Sequence, residues 1–260
     1  MGSPPEDSSI GVWQAAWRRV ILALSLTVVP QMDIPLGHMM RTLAIGDIHG
    51  CHTALNNLLD AVCPRPEDRI VFLGDYIDRG PASRQVLDTL LQLEKRCSPV
   101  FVRGNHELMI LDARDDTLKA SLWQSCGGSE TLASYGSHGE QGWASTIPEL
   151  HWAFFEGTLR FFETERNVFI HACLDPELDM DEQPDWLLFW EFFERLRPHK
   201  SGKRIICGHT PQLSGLPANV GFGVCIDTGS VFGGWLTCFD TDSGKYWQAN
   251  ENGATRHGKL

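Results

Sequence analysis

The sequence predicts an α/β fold, a two-sheet α/β/β/α sandwich, on three observations. From Arg41 onward short apolar runs alternate with amphipathic segments, the pattern of βαβ units on a mostly parallel sheet. Each run closes in a glycine-rich polar cluster, which sets those clusters at the C-terminal strand ends, where open α/β sheets bind ligands. A further series of short apolar runs in the second half of the chain is enough for another sheet.

In chain order, strands are expected at Thr42–Ile45, Ile70–Leu73 and Val100–Val102, and helices at Ala54–Val62, Ser83–Leu93 and His106–Leu111. Residues 112–165 read as a mainly helical cap, with a loop around Cys126-Gly127-Gly128-Ser129. Later strands at Val168–His171, Arg204–Cys207, Val224–Ile226, Trp235–Asp240 and Lys245–Gln248 are expected to form the second sheet. No repeat, linker or low-complexity tract divides the chain. Residues 41–250 therefore read as one domain, with 1–40 an N-terminal extension and 251–260 a polar tail.

In the extension, Val12, Trp13, Ala16, Trp17, Val20, Ile21 and Leu24 recur at helical spacing, as in an amphipathic helix packed on the domain or a partner. The apolar run Ile21–Pro30 has the length of a signal peptide rather than of a membrane span. Glu6 and Asp7 precede it and no A-x-A-like site follows. The alternatives are secretion through residues 18–30 and a true start at Met39 or Met40.

Of the 260 residues, 42% are hydrophobic and 21% charged, which excludes a disordered or collagenous chain. Lys+Arg 22 against Asp+Glu 33 gives a net charge of -11. That charge opposes nucleic acid and anionic lipid, so neither a nucleic-acid partner nor stable membrane insertion is expected. Any anionic substrate needs a locally positive site. The eight cysteines form no C-x-x-C pair and read as reduced thiols in a cytoplasmic protein.

Five clusters carry candidate chemistry: Gly46-Asp47-Ile48-His49-Gly50; Gly74-Asp75-Tyr76-Ile77-Asp78-Arg79-Gly80; Gly104-Asn105-His106-Glu107; His171; and Gly208-His209-Thr210. Any one of them is ordinary turn chemistry or a structural histidine. Together they deliver carboxylates, an amide and imidazoles to five strand ends. Oxygen and imidazole ligands without thiolate suit Mn²⁺, Fe²⁺ or Zn²⁺ rather than a structural cysteine site. His52, His138, His151, His199 and His257 fall outside the clusters and read as surface histidines.

The sequence resembles the metallophosphoesterases, and within them the lambda-phosphatase-like bacterial branch of the phosphoprotein phosphatase family. The GD-x-HG, GD-x-x-DRG and GNHE signatures stand complete at residues 46–50, 74–80 and 104–107. Trp123, Gly127-Gly128 and the segment Thr131 to Gly136 resemble that branch, and Ile226-Asp227-Thr228-Gly229 its closing motif. The likeness runs from about Arg41 to Asp240.

The resemblance implies two divalent ions, Mn²⁺ foremost and Fe or Zn²⁺ as alternatives. Asp47, His49 and Asp75 would hold one, and Asp75, Asn105, His171 and His209 the other. Two ions about 3.5–4 Å apart share a water, lower its pKa and aim the hydroxide at phosphorus. By the same resemblance His106 is the general acid, Asp78 orients it, Arg79 grips the phosphate oxygens, and Asn105 and His106 also face the substrate.

Relatives carry a second phosphate-gripping arginine in a Trp-x-Arg pattern; here Trp186-Leu187-Leu188-Phe189-Trp190-Glu191 puts Glu191 in its place. Either Glu191 turns away and pairs with Arg195 one helical turn on, or the site prefers a less charged substrate. Arg195 or Arg197 is the expected replacement grip. The implied activity is hydrolysis of phosphoserine and phosphothreonine in a phosphoprotein or phosphopeptide. The alternatives are a symmetrical dinucleoside tetraphosphate hydrolase, from which the Asp78 of the DRG motif argues away, and a non-catalytic metal-binding scaffold.

Overall fold

Alternation along each strand builds the layers. The computed structural model describes residues 40–139 and 141–260, and the expectations for the first 39 residues lie outside this part. β1 (Thr42–Ile45), β2 (Arg69–Phe72) and β3 (Ser98–Phe101) run parallel in the first sheet. β4 (Phe162–Glu163), β5 (Asn167–Phe169), β6 (Arg204–Cys207), β7 (Ala218–Asn219) and β8 (Gly223–Cys225) form the second, in the order β4-β5-β6-β8-β7.

Ala44, Val71, Phe169, Ile206 and Val224 point between the sheets into one apolar layer. Their strand neighbours Leu43, Ile45, Ile70 and Phe72 point outward to one helical layer, and Val168, Ile205 and Cys207 to the other. Strands buried on both faces read as continuous apolar runs, which is why they were legible as runs.

Two expectations are corrected. The strands expected to extend the second sheet join the first: β9 (Leu236–Asp240) pairs antiparallel with β1, and β10 (Lys245–Ala249) with β9. Residues 251–260, expected as a tail, contain β11 (Thr255–Lys259), the hairpin partner of β10. The first sheet is thus ordered β11-β10-β9-β1-β2-β3. An antiparallel strand can join either free edge, and its own sequence does not say which.

The helices follow their apolar stripes. α1 (His52–Val62) buries Ala54, Leu55, Leu58 and Val62, and α2 (Ser83–Leu93) buries Val86, Leu87 and Leu90, each a face of a 3.6-residue period. α3 (Asn105–Ala113) leads into the stretch expected as mainly helical. There α4 (Thr117–Trp123), α5 (Ser129–Ser134) and α6 (Glu149–Gly157) occur, and β4 falls at its end. Trp123, Leu132, Trp143, Trp152 and Phe155 from this stretch share the buried cluster of the first sheet's outer face.

α7 (Asp185–Trp190) covers the second sheet with Leu188 and Phe189. The surface reading of two histidines is also corrected. His151 is 2% exposed, with Nδ1 2.6 Å from Tyr135 Oη and Nε2 3.2 Å from Asp88; His199 is 5% exposed, between Leu178 O and Ser201 Oγ. Among the described residues all eight cysteines are free thiols, and no helix is long and apolar enough to cross a membrane.

Candidate metal centre

All the predicted ligands lie just beyond parallel strands. Asp47 and His49 follow β1, Asp75 follows β2, Asn105 and His106 open α3 after β3, His171 follows β5 and His209 follows β6. The chain bends sharply to aim them. Among described non-glycine residues six have positive φ, and five of these are His49 (47°), Asp75 (52°), Asp78 (73°), Arg79 (66°) and His209 (63°). Left-handed backbone at such residues costs about 1–3 kcal/mol each and persists where the surroundings impose it. Gly208 is required for another reason: a Cβ there would collide with the Asp47 carboxylate.

Four atoms converge in one pocket. His171 Nδ1 donates to Leu73 O at 2.8 Å, which leaves Nε2 as a lone pair. That lone pair lies 2.9 Å from Asn105 Oδ1, 3.1 Å from His209 Nδ1 and 3.5 Å from Asp75 Oδ1. His209 Nδ1 also lies 3.2 Å from Asn105 Oδ1. An amide oxygen, a carboxylate oxygen and two imidazole nitrogens this close together suit a divalent cation.

Asp75 belongs to a second group as well. Its Oδ2 is 3.3 Å from His49 Nε2, while His49 Nδ1 donates to Ile77 O at 2.9 Å. One ligand atom each from His49, Asp75 and His106 lies within 4.8 Å of the others, as does one each from Asp75, His171 and His209. Asp47 stands outside both groups; its carboxylate accepts the His209 N–H at 3.0 and 3.2 Å.

The electrostatics describe a buried excess of carboxylate. Burial, then the charges of Asp227 and Asp75, push the Asp47 carboxyl well above its usual range. Burial carries Asp227 to about 6 and, with the Asp75 charge, Glu107 to about 8. Asp75 goes the other way: against burial, the imidazoles of His171, His106 and His49 hold it well below the usual range. Burial likewise lowers His209, and carries His171 to about 4.

A stability prediction follows for chelated protein. The unfolded chain protonates His171 at its ordinary 6.5, the folded chain only at about 4. The His171 contribution is therefore full above pH 6.5 and falls by about 3 kcal/mol as pH drops through that interval, while Asp227, raised from 3.8 to about 6, contributes in the opposite sense. Thermal unfolding of the chelated wild type and of chelated His171→Gln across this interval isolates the His171 share; identical pH dependence in the two would contradict a buried neutral imidazole.

His106 faces the same pocket from behind. Its backbone N–H donates to Asp75 Oδ1 at 3.1 Å, its Nδ1 donates to Asp78 Oδ2 at 2.7 Å, and its buried Nε2 has no hydrogen-bond partner. Asp78, fully buried, also accepts from Trp123 Nε1 at 2.8 Å and Thr131 Oγ1 at 2.7 Å. Arg79 donates through Nη1 to His49 Nε2 at 2.8 Å, and its guanidinium lies 5.7 Å from the Phe232 ring centroid. Its backbone N–H donates to Gly127 O at 3.0 Å, and a Cβ on Gly127 (φ 114°) would run into Arg79.

Sequence reasoning missed what Trp123, Thr131 and Glu107 do. Glu107 accepts three backbone N–H groups, from Asp75, Tyr76 and Gly104, at 2.8 to 2.9 Å. Its place three residues past the Gly104 cap was the available signal. The expected Glu191–Arg195 helix pair is corrected: α7 ends at Trp190 and the chain is extended at Glu191, with ψ 143°. Phe193 N instead donates to Thr210 Oγ1, and Glu191 Oε1 accepts the Phe192 N–H. The Arg195 side chain is exposed, and Arg197 Nη1 donates to the Glu194 and Leu196 carbonyls.

Two groups of nitrogen and oxygen atoms sharing one carboxylate, at the strand ends of a two-sheet sandwich, could each hold a metal ion. The chain belongs to the calcineurin-like phosphoesterases, whose family profile matches residues 40–221. It is 33% identical to serine/threonine-protein phosphatase 1 of Salmonella typhimurium over 208 residues, 74% of this chain and 88% of that protein. It is 30% identical to the symmetrical bis(5'-nucleosyl)-tetraphosphatase of Coxiella burnetii over 148 residues, 56% of this chain and 46% of that protein. A cold-active protein tyrosine phosphatase shares the fold, with a TM-score of 0.59 at 16% identity over 85% of this chain and 79% of that one.

Proposed function

We propose that the chain is a metal-dependent serine/threonine protein phosphatase that hydrolyses phosphomonoesters of a phosphoprotein or phosphopeptide. The observation that carries this reading is the buried His106–Asp78 pair, whose Nε2 is left without a partner beside a pocket of metal ligands. The phosphatase relative supports it, since its alignment covers most of both chains. The free cysteines suit a cytoplasmic setting.

Asp47, His49 and Asp75 would hold one ion, and Asp75, Asn105, His171 and His209 the second. Mn²⁺ is the foremost candidate, with Fe or Zn²⁺ accommodated by the same donors. When bound, two such ions supply a hydroxide nucleophile at neutral pH and neutralise charge on the phosphate. His106 holds the proton for the leaving alkoxide at Nε2. Asp78, itself fixed by Trp123 and Thr131, sets the ring's orientation and stabilises its charged form. Arg79 offers a planar fork to the phosphate oxygens, and Asn105 sits with His106 on the substrate side of the helix start.

A second reading, symmetrical dinucleoside tetraphosphate hydrolysis, is favoured by two exposed rings. Phe192 lies 6.1 Å from the His209 ring and Phe232 flanks Arg79, where bases could stack. Initial rates of Mn²⁺-loaded protein on a phosphothreonine peptide and on diadenosine tetraphosphate, with chelated protein as blank, separate the two. The peptide is expected to be preferred; a large preference for the dinucleotide overturns the reading. Arg79→Ala is expected to lower kcat/KM on the peptide about 10- to 100-fold, the range for a charge-assisted bond, and Arg195→Ala to change it little. Equal losses would mean that the clamp is elsewhere.

A further inference from the structure

A cavity of about 220 Å³ adjoins the metal centre between the Gly80-Pro81 turn, the Ser230–Phe232 turn and the Asn250–Asn252 turn. Arg79 forms one wall, so the cavity lies beside the place where this guanidinium would meet a phosphate. Ser230 Oγ, on a residue 4% exposed, and Glu251 Oε1 are buried without a hydrogen-bond partner, and both residues line this cavity. Their shared polar neighbour is the thiol of Cys51, a weak hydrogen-bonding group. None of these three side chains has a part in the hydrolysis outlined above.

Unmade buried acceptors are costly, and a ligand that supplies donors relieves them. Both orphan atoms can accept, and one is a carboxylate oxygen. The formal charges lining the cavity are those of Arg79 and Glu251. With Arg79 engaged by a phosphate, Glu251 remains an uncompensated anion in a chain of net charge -11.

We propose that this cavity receives the cationic side chain of a lysine or arginine flanking the phosphorylated residue of a peptide substrate. The inference rests on the phosphatase reading and adds a sequence preference to it. Glu251 Oε1 accepts from the ammonium or guanidinium, and Ser230 Oγ accepts a second N–H.

The test uses one phosphothreonine peptide with Lys, Gln or Glu placed in turn at each flanking position, on Mn²⁺-loaded protein at low ionic strength. At the position that reaches the cavity, the Lys peptide is expected to exceed the Gln peptide in kcat/KM by about threefold, the size of a partly exposed ion pair. Glu251→Gln should abolish that preference and Glu251→Lys should invert it toward the Glu peptide. The preference is read within each variant as the ratio of the Lys to the Gln peptide, and thermal unfolding reports the folding of both variants. The same preference in wild type and Glu251→Gln, or no preference at any position, overturns the inference. Failure of the phosphatase reading has another signature, in which no peptide is hydrolysed and diadenosine tetraphosphate is; the cavity's assignment then falls with it.

Discussion

Asp75→Asn is expected to lower kcat on a phosphothreonine peptide by about a thousandfold or more and to reduce bound Mn²⁺ below two per chain in a calorimetric titration. Asp75 is the one residue common to both ligand groups, facing His49 through Oδ2 and His171 through Oδ1. Asparagine keeps the shape but removes the charge that balances two dications. It also puts an N–H₂ where a carboxylate oxygen stood. Undiminished hydrolysis by this variant would rule out a shared carboxylate and with it the dinuclear arrangement.

The second large effect belongs to His106. His106→Asn is expected to lower kcat on the phosphothreonine peptide by about 10²–10⁴, the usual contribution of a positioned proton donor, while Mn²⁺ still binds. On 4-nitrophenyl phosphate, whose leaving group needs no proton, the loss should be far smaller. Equal losses on the two substrates would place His106 in phosphate binding rather than in protonation of the leaving group. The contrast isolates the Nε2 proton, because the backbone N–H of residue 106 still reaches Asp75 in the variant.

The ligand positions were legible because each sits within a few residues of a strand end. A short motif therefore carries both the turn and the ligand. What lay beyond was set by distant chain. No local pattern at Leu236–Asp240 says that it pairs with β1 rather than with the nearer β8, since either edge accepts an apolar strand. The helix read through Glu191 stops at Trp190, and the Phe193 N–H is drawn to Thr210 Oγ1. A contact to a residue 17 positions on sets the course of the chain there, and i,i+4 spacing has no access to that.

His151 was misread although a signal existed: with Phe154 and Phe155 it makes an i, i+3, i+4 stripe on α6, and all three are buried. Trp123 was placed by likeness, but its hydrogen bond to Asp78 spans 45 residues, and only the folded chain reveals it.

The left-handed backbone at five of the site's residues has a consequence for protein engineering. At His49, Asp75, Asp78, Arg79 and His209 the side chain that chemistry needs is one the local backbone disfavours, and glycine would relieve it. Arg79 is the exposed member of the set, where exchange to glycine removes little packing. A laboratory selection scored on heat tolerance alone is therefore expected to drift toward glycine there and yield robust, inactive enzyme. A selection that keeps turnover must find its thermal gains elsewhere, on the outer helices rather than in the motifs.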